Sequence, residues 1–347
     1  MSKDTSQAHT PRTEDQLDQE KLNTYLHQHV EGMHINSIKQ FSGGASNLTY
    51  LLETDTEDII LRTAPAGTKA KGAHNMQREF DILSQVHYSF ELCPKVIHMC
   101  TDSHIIGREF YLMEYLQGHI IRNQLPSLYT AQDCPQLCSE LVTVLHRLHN
   151  SDISQLQAFN KGSGYIERQI GGWSKRFQNA HTDDVPHCEA IMQWLQKNQP
   201  RDHNTYTLIH NDYKFDNLLF GTDDPQRIVG VLDWEMATIG DPLMDLGCSL
   251  AYWVQADDPE AMHMLKMMPT DHAGMYTRDQ LVHAYASSAG IALDDYRFYY
   301  VFGLFRLAVI IQQIYYRFYH GQTSNPRFAP FGKIAAILIH QAQENMK

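Results

Sequence analysis

The sequence predicts an α+β fold in two lobes, a small antiparallel-sheet N-lobe followed by a larger, mainly helical C-lobe. Three observations carry this expectation. The chain has 347 residues, 43% of them hydrophobic, enough for a sizeable core but more than one compact domain usually holds. Strand-like segments joined by Gly-rich or polar turns dominate up to about residue 116, and helical periodicity dominates after it. Short strands then lead into acidic motifs, where a rigid scaffold meets exposed side chains. The expected organisation is a disordered N-terminal tail over 1–20, an N-lobe over 21–116 and a C-lobe over 117–347.

In chain order, Gln19 to Val30 puts Leu22, Tyr25, Leu26 and Val30 on one helical face. Ile35 to Tyr50 reads as a hairpin whose turn holds Ser42, Gly43, Gly44, Ala45, Ser46 and Asn47. Glycines let a backbone approach a ligand closely, and consecutive N–H groups at such a turn can cradle phosphate oxygens, although a Gly-Gly turn is more often only a turn. The next strand, Asp58 to Arg62, ends in a cation, and the helical stretch Asn75 to Val86 carries Glu79, 17 residues further on. That interval suits a strand cation that grips nucleotide phosphates and a helix carboxylate that orients it. Phe110 to Leu116 is an apolar strand in which Glu114 and Tyr115 stand where the chain would cross to the second lobe and offer its backbone to an adenine edge. Leu137 to His149 and Cys188 to Gln196 show helical spacing. Tyr206 to Ile209, Leu218 to Phe220 and Ile228 to Leu232 are short strands flanking the acidic motifs.

Those motifs are His210-Asn211-Asp212-Tyr213-Lys214-Phe215-Asp216-Asn217 and Val231-Leu232-Asp233-Trp234-Glu235. Asp212, Asn217 and Asp233 have the spacing that phosphoryl transfer needs to hold a hydroxyl nucleophile and magnesium around a nucleotide. Asp212 would take the hydroxyl proton, Asn217 and Asp233 would bind the metal, and Lys214 would stabilise charge on the transferred group. His210 would brace the loop. Any one of these residues alone reads as a turn former or cap. The glycine turn, the cation with its carboxylate and the two motifs, in this order, point to chemistry.

Bulk properties exclude other classes. A formal net charge of −12 argues against a nucleic-acid partner, whose phosphates favour a basic face. The six cysteines are dispersed with no CxxC pair, and no HExxH occurs, so reduced thiols are expected in place of disulfides or zinc. The first twenty residues lack the apolar core of a signal peptide, and the longest apolar runs, near Leu307 to Ile311 and Ala335 to Ile339, are too short to span a bilayer. A cytoplasmic protein with no membrane partner is expected. Its oligomeric state is not legible.

The two motifs, together with Gly240-Asp241-Pro242-Leu243-Met244-Asp245-Leu246, resemble the aminoglycoside phosphotransferase and choline kinase superfamily. The chain is most similar within it to the group related to the N-terminal kinase-like domains of certain acyl-CoA dehydrogenase fusion proteins. Gly43 to Tyr50, Gly164 to Gln169, Trp173 and Phe302 to Ala308 carry that finer likeness, and the resemblance covers nearly everything after about residue 20. It implies a protein-kinase-like fold and transfer of the γ-phosphate of ATP, with Mg2+, to a hydroxyl of a small molecule. The implied base is Asp212, with Lys214 beside it, and the implied metal ligands are Asn217 and Asp233. Gly43, Gly44, Ser46, Asn47, Arg62, Glu79, Glu114 and Tyr115 would face the nucleotide.

One position departs from the wider pattern, since Arg62 stands where kinases generally have Lys, and the two cations are not equivalent for phosphate. A non-catalytic, pseudokinase-like nucleotide-binding protein is therefore the alternative class. The finer resemblance implies a hydroxy acid or hydroxyacyl thioester as acceptor, while an aminoglycoside or amino alcohol is the other candidate. Arg168, Asp241 and Arg306 are the candidate substrate residues. For Arg306, set among apolar neighbours, two readings stand: a pairing with a carboxylate such as Asp245, or reception of an anionic group of the substrate.

Overall fold

A computed structural model describes residues 8–41, 47–65, 75–201 and 205–347. Gly43, Gly44 and Ser46 of the Gly-rich turn lie outside the described residues. The elements in chain order are β1 (Ala8–His9), α1 (Gln19–His29), β2 (Ile35–Phe41), β3 (Leu48–Thr54), β4 (Ile59–Thr63), α2 (Met76–Val86), β5 (Val96–Cys100), β6 (Phe110–Glu114), β7 (His119–Ile120) and α3 (Cys134–His149). There follow α4 (Tyr165–Ala180), α5 (Glu189–Asn198), β8 (Thr207–Ile209), β9 (Leu218–Phe220), β10 (Ile228–Val231), β11 (Thr238–Gly240), α6 (Pro242–Ala251), α7 (Glu260–His263), α8 (Arg278–Ala289), α9 (Arg297–Tyr319) and α10 (Phe331–Glu344).

The chain divides into two compact units. The first comprises residues 1–119, 154–156 and 219–237; the second comprises 120–153, 157–218 and 238–347. Residues 219–237, expected with the C-lobe, thus cluster with the first unit, because Val231 donates its N–H to Leu92 O and Trp234 packs on Phe90. The segment expected as a tail also takes part. β1 pairs with β2, Gln40 donates to Asp15 Oδ2 at 2.9 Å, and the Tyr50 hydroxyl donates to Asp15 O at 2.7 Å.

The first unit is built on an antiparallel sheet in the order β1-β2-β3-β4-β6-β5. All five residues of β4 are buried. Alternation along a strand sends successive side chains to opposite faces. Leu61 accordingly joins Leu22 and Leu26 of α1, Tyr50, Leu52, Phe110 and Leu112 in one apolar cluster, while Arg62 faces away from it. On α2, Asn75 caps the start by accepting the Arg78 N–H at 2.9 Å. The same helix buries Glu79 with Ile82, Leu83 and Val86.

The second unit is helical around α9, which packs against α4, α5, α6 and α10. By length and composition α9 could cross a membrane, although 61% of its apolar window is buried inside the protein; the packing identifies it as a core helix. Two glycines set its crossing with α6. A Cβ on Gly247 would run into the carbonyl oxygen of Tyr299, and one on Gly303 would run into that of Gly247. Only bare backbone fits there, and this close approach brings Arg306, one turn beyond Gly303, alongside α6. β8 and β11 form a two-stranded sheet, Thr238 opposite Ile209 and Gly240 opposite Thr207. Each of these strands leads directly into a functional motif.

Candidate functional site

In the first unit, Arg62 Nη2 lies 3.0 Å from Asp233 Oδ1 and 3.3 Å from Glu79 Oε1. Burial works against the guanidinium charge, yet Glu79 and then Asp233 hold the Arg62 pKa well above its ordinary value. Burial pushes the Glu79 carboxyl up, with Arg62 opposing. The strand cation and helix carboxylate expected from spacing therefore meet, and Asp233 joins them. Asp233 keeps a 34% exposed side chain. Its Oδ2 accepts no hydrogen bond from a described residue, so one anionic oxygen is left for a cation.

The segment after Asp233 is tied down by residues that the spacing argument does not reach. Arg78 donates to Glu235 O at 3.0 Å and to Ala237 O at 2.6 Å, and Asn47 Nδ2 donates to Glu235 Oε2 at 2.9 Å. The Trp234 indole donates to Val231 O at 2.8 Å. Asn47 thereby reaches the acidic segment from the end of the glycine turn. Glu114 closes β6, its N–H donating to Lys95 O at 2.8 Å and its carboxylate accepting from the Lys95 N–H at 3.2 Å. Tyr115 follows it directly.

In the second unit β8 feeds the loop 210–217. Asp212 accepts from the Lys214 ammonium and, at 2.8 Å, from Asn217 Nδ2, all on Oδ2. Asn217 Nδ2 also donates to Asp212 O at 2.8 Å. With its amide nitrogen committed this way, Asn217 Oδ1 accepts nothing from the described residues and remains available to a metal. Burial alone would raise the Asp212 carboxyl, but the Lys214 charge and hydrogen bond, with smaller help from Arg306 and His210, hold it below the usual carboxylate range. Lys214 is itself buried and stands 4.5 Å from the Tyr252 ring centroid. The surroundings of Asp212 therefore favour the ionised carboxylate.

The loop is held by Asp245, a residue with 0% exposure on the first turns of α6. Its Oδ2 accepts the His210 N–H at 2.7 Å and its Oδ1 accepts the Asn211 N–H at 2.7 Å. His149 Nε2 lies 3.2 Å from Oδ2, and its Nδ1 lies 2.7 Å from the Tyr285 hydroxyl. Burial would raise this carboxyl, and His149 followed by His210 brings it below the ordinary range. Asp245 is taken up with the loop and does not pair with Arg306. Among the described residues, the only non-glycine positions with left-handed φ are Asn211 (65°) and Asp233 (66°). Both immediately adjoin or occupy the proposed chemistry, and Asn and Asp tolerate this region better than most side chains.

The other candidate substrate residues have local duties. Asp241 caps α6, accepting from the Leu243 N–H at 2.8 Å and the Met244 N–H at 3.0 Å; Asp-Pro ahead of an apolar helix is the sequence signal for that role. Arg168 donates to Gly162 O at 2.8 Å and to Ser163 O. Arg306 is buried, with its guanidinium 5.2 Å from the Trp173 ring centroid. Among the described residues no group of three or more His, Cys, Asp or Glu is placed to hold a metal. A hard divalent ion takes few protein oxygens and completes its shell with phosphates and water, and in each unit by itself one such oxygen, Asn217 Oδ1 or Asp233 Oδ2, accepts no hydrogen bond from a described residue.

Comparison with known proteins places this geometry in context. The family model described as "Phosphotransferase enzyme family" matches residues 37–278. The human acyl-CoA dehydrogenase family member 11 is 33% identical over 334 residues, a match covering 93% of this chain and 42% of that protein. The chain thus spans less than half the length of this relative. A solved Ralstonia eutropha protein assigned to the aminoglycoside phosphotransferases is 28% identical with a TM-score of 0.79, covering 95% of this chain and 98% of the other. An aminoglycoside phosphotransferase solved in ternary complex with AMP-PNP and hygromycin B is 16% identical with a TM-score of 0.63, covering 94% and 98%, a likeness of fold alone.

Proposed function

The chain belongs to the phosphotransferase enzyme family, and on that premise we propose that it transfers the γ-phosphoryl group of ATP to a hydroxyl of a small hydroxy acid or hydroxyacyl thioester. The observation that carries this reading is the Asp212 carboxylate, kept ionised by Lys214 while Asn217 turns its amide nitrogen toward it. Asp212 orients the acceptor hydroxyl and takes its proton as the oxygen–phosphorus bond forms. The bond from phosphorus to the β-bridging oxygen breaks, and ADP leaves with that electron pair. Lys214 shares its charge between Asp212 and the moving phosphoryl group. Magnesium, when bound, neutralises phosphate charge and keeps the transferred group in line. The motif spacing names Asn217 and Asp233 as the residues that would hold it, and Arg62, oriented by Glu79, is the proposed phosphate cation. The acyl character of the acceptor is supported by the relative named an acyl-CoA dehydrogenase, in which the matching segment sits within a longer chain.

The test is a coupled ADP-release screen against hydroxy acids, hydroxyacyl thioesters, amino alcohols and aminoglycosides, with Asp212→Asn as control. General-base loss should cost about 10²–10⁴ in kcat while magnesium-dependent ATP binding persists. Full activity in Asp212→Asn would defeat the assignment. ATP binding without turnover across the whole screen would instead favour a nucleotide-binding protein that does no chemistry.

A further inference from the structure

Helix α6 meets the loop 210–217 in two places. Near its start, Asp245 accepts the His210 and Asn211 N–H groups. Just past its end, two successive residues meet two successive residues of the loop. Lys214 Nζ lies 4.5 Å from the Tyr252 ring centroid, and the Phe215 ring lies 5.5 Å from that of Trp253. Both aromatic residues are anchored through their backbone. The Tyr252 N–H donates to Ser249 O at 3.2 Å and the Trp253 N–H to Leu250 O at 3.0 Å. The Trp253 indole donates to Tyr276 O at 2.8 Å, and Arg278 donates to Trp253 O at 2.7 Å. Phe215 and Trp253 are buried, so their packing fixes the register that sets Tyr252 against Lys214.

Among the described residues Lys214 is the only buried lysine. Its ammonium pairs with Asp212. Taking an ammonium out of water is nevertheless costly even when a carboxylate answers it, and a lysine reaches its partner on a flexible four-carbon stem. The face of a phenol ring addresses both difficulties. Its negative side attracts the cation and narrows where the stem can point, without consuming an N–H donor. The phenol itself stays neutral, because burial first and then the Asp212 charge raise its pKa, with Lys214 and Arg306 opposing.

We propose that Tyr252 is a positioning residue for phosphoryl transfer, its ring face being the seat that holds the Lys214 ammonium against Asp212. From that seat Lys214 shares its charge with the moving phosphoryl group. The inference rests on the phosphotransferase reading and adds to it a residue outside the two acidic motifs. Tyr252 acts through Lys214 and takes no part in bond making.

Proton–carbon correlation spectra of the nucleotide-free chain, isotope-labelled at lysine, test the seat without requiring turnover. The Lys214 signals are identified by their loss in Lys214→Met. A ring face shields what lies above it, so the Lys214 Hε protons should resonate upfield of those of the other lysines. Tyr252→Phe retains the ring and should keep that shift, whereas Tyr252→Leu should lose it. Circular dichroism confirms folded variants, and Tyr252→Met replaces Tyr252→Leu if the latter does not fold. With an acceptor that turns over, kcat should fall by about two- to thirtyfold in Tyr252→Leu, the range a cation–π contact is worth. Tyr252→Phe should restore most of it, and the KM for ATP should not move. Ordinary Lys214 Hε positions in the parent, a shift that survives loss of the ring, or a Tyr252→Phe chain that behaves as Tyr252→Leu would overturn the seat. A parent-like kcat in Tyr252→Leu would overturn its positioning role. Absence of ADP release in the parent concerns the phosphotransferase reading alone, and the lysine shifts still decide the seat, so the two failures are distinguishable.

Discussion

Asp245→Asn isolates the brace beneath the loop that carries Asp212. In the parent, each carboxylate oxygen accepts one backbone N–H at 2.7 Å, from His210 on Oδ2 and from Asn211 on Oδ1. An amide keeps the shape but has one acceptor oxygen, so whichever way it turns, one of these N–H groups faces an NH2. The lost charge-assisted bond is worth about 1.5–3 kcal/mol and the stranded buried donor about 1–3 more, giving a destabilisation of about 2.5–6 kcal/mol. The folded pKa of Asp245 is depressed, so its contribution is complete above the ordinary carboxylate value and fades as pH falls through the folded value. The deficit of the variant should therefore be full at pH 7 and shrink at acid pH. Urea unfolding at several pH values measures it, and amide exchange at His210 and Asn211 reports the local loosening. A loss under about 1 kcal/mol with unchanged exchange would refute the brace, since even one stranded buried donor costs that much.

Three further outcomes follow from the same geometry. Lys214→Met removes the cation that lowers the Asp212 pKa, so the acid limb of kcat/KM should move to higher pH; a fixed limb would show that Asp212 is not the group titrating. Arg62→Met leaves Glu79 buried without its cation, and loss of one partner of a buried pair costs about 3–5 kcal/mol, so chemical denaturation should reveal a marked destabilisation together with weaker ATP binding in a titration. Gly247→Val pushes a branched side chain into the Tyr299 carbonyl and should cost at least about 1–3 kcal/mol through overpacking, read as a drop in Tm; a neutral result would mean that α6 and α9 can separate cheaply.

Much of the fold was legible because its signals are local. The helix over 19–30, the strand ending at Arg62, the helix bearing Glu79 and the loop 210–217 were all set by periodicity and short-range spacing. The meeting of Arg62 with Glu79 was also expected, because strand alternation and helix phase fix where those side chains go. What escaped were partnerships that depend on a third element. Arg78 gripping Glu235 O and Asp245 holding two loop amides have no signature at fixed sequence distance. Asp241, a candidate substrate residue, caps α6 in the structure, a role whose Asp-Pro signal was present in the sequence.

The sequence by itself determined the chemical vocabulary of this protein: an Asp, an Asn and a second Asp at phosphoryl-transfer spacing, a strand cation with its helix carboxylate, and the order of strands and helices that presents them. Tertiary structure alone decided how charge is compensated. Arg306 stands 61 residues from Asp245, its expected partner, yet Asp245 serves the loop, and Arg306 meets Trp173 and shares it with Arg176. Periodicity tells which face a residue occupies, whereas the charge that answers a buried cation is set by helix crossings such as that of Gly247 with Gly303, where the closeness of two backbones chooses the neighbours.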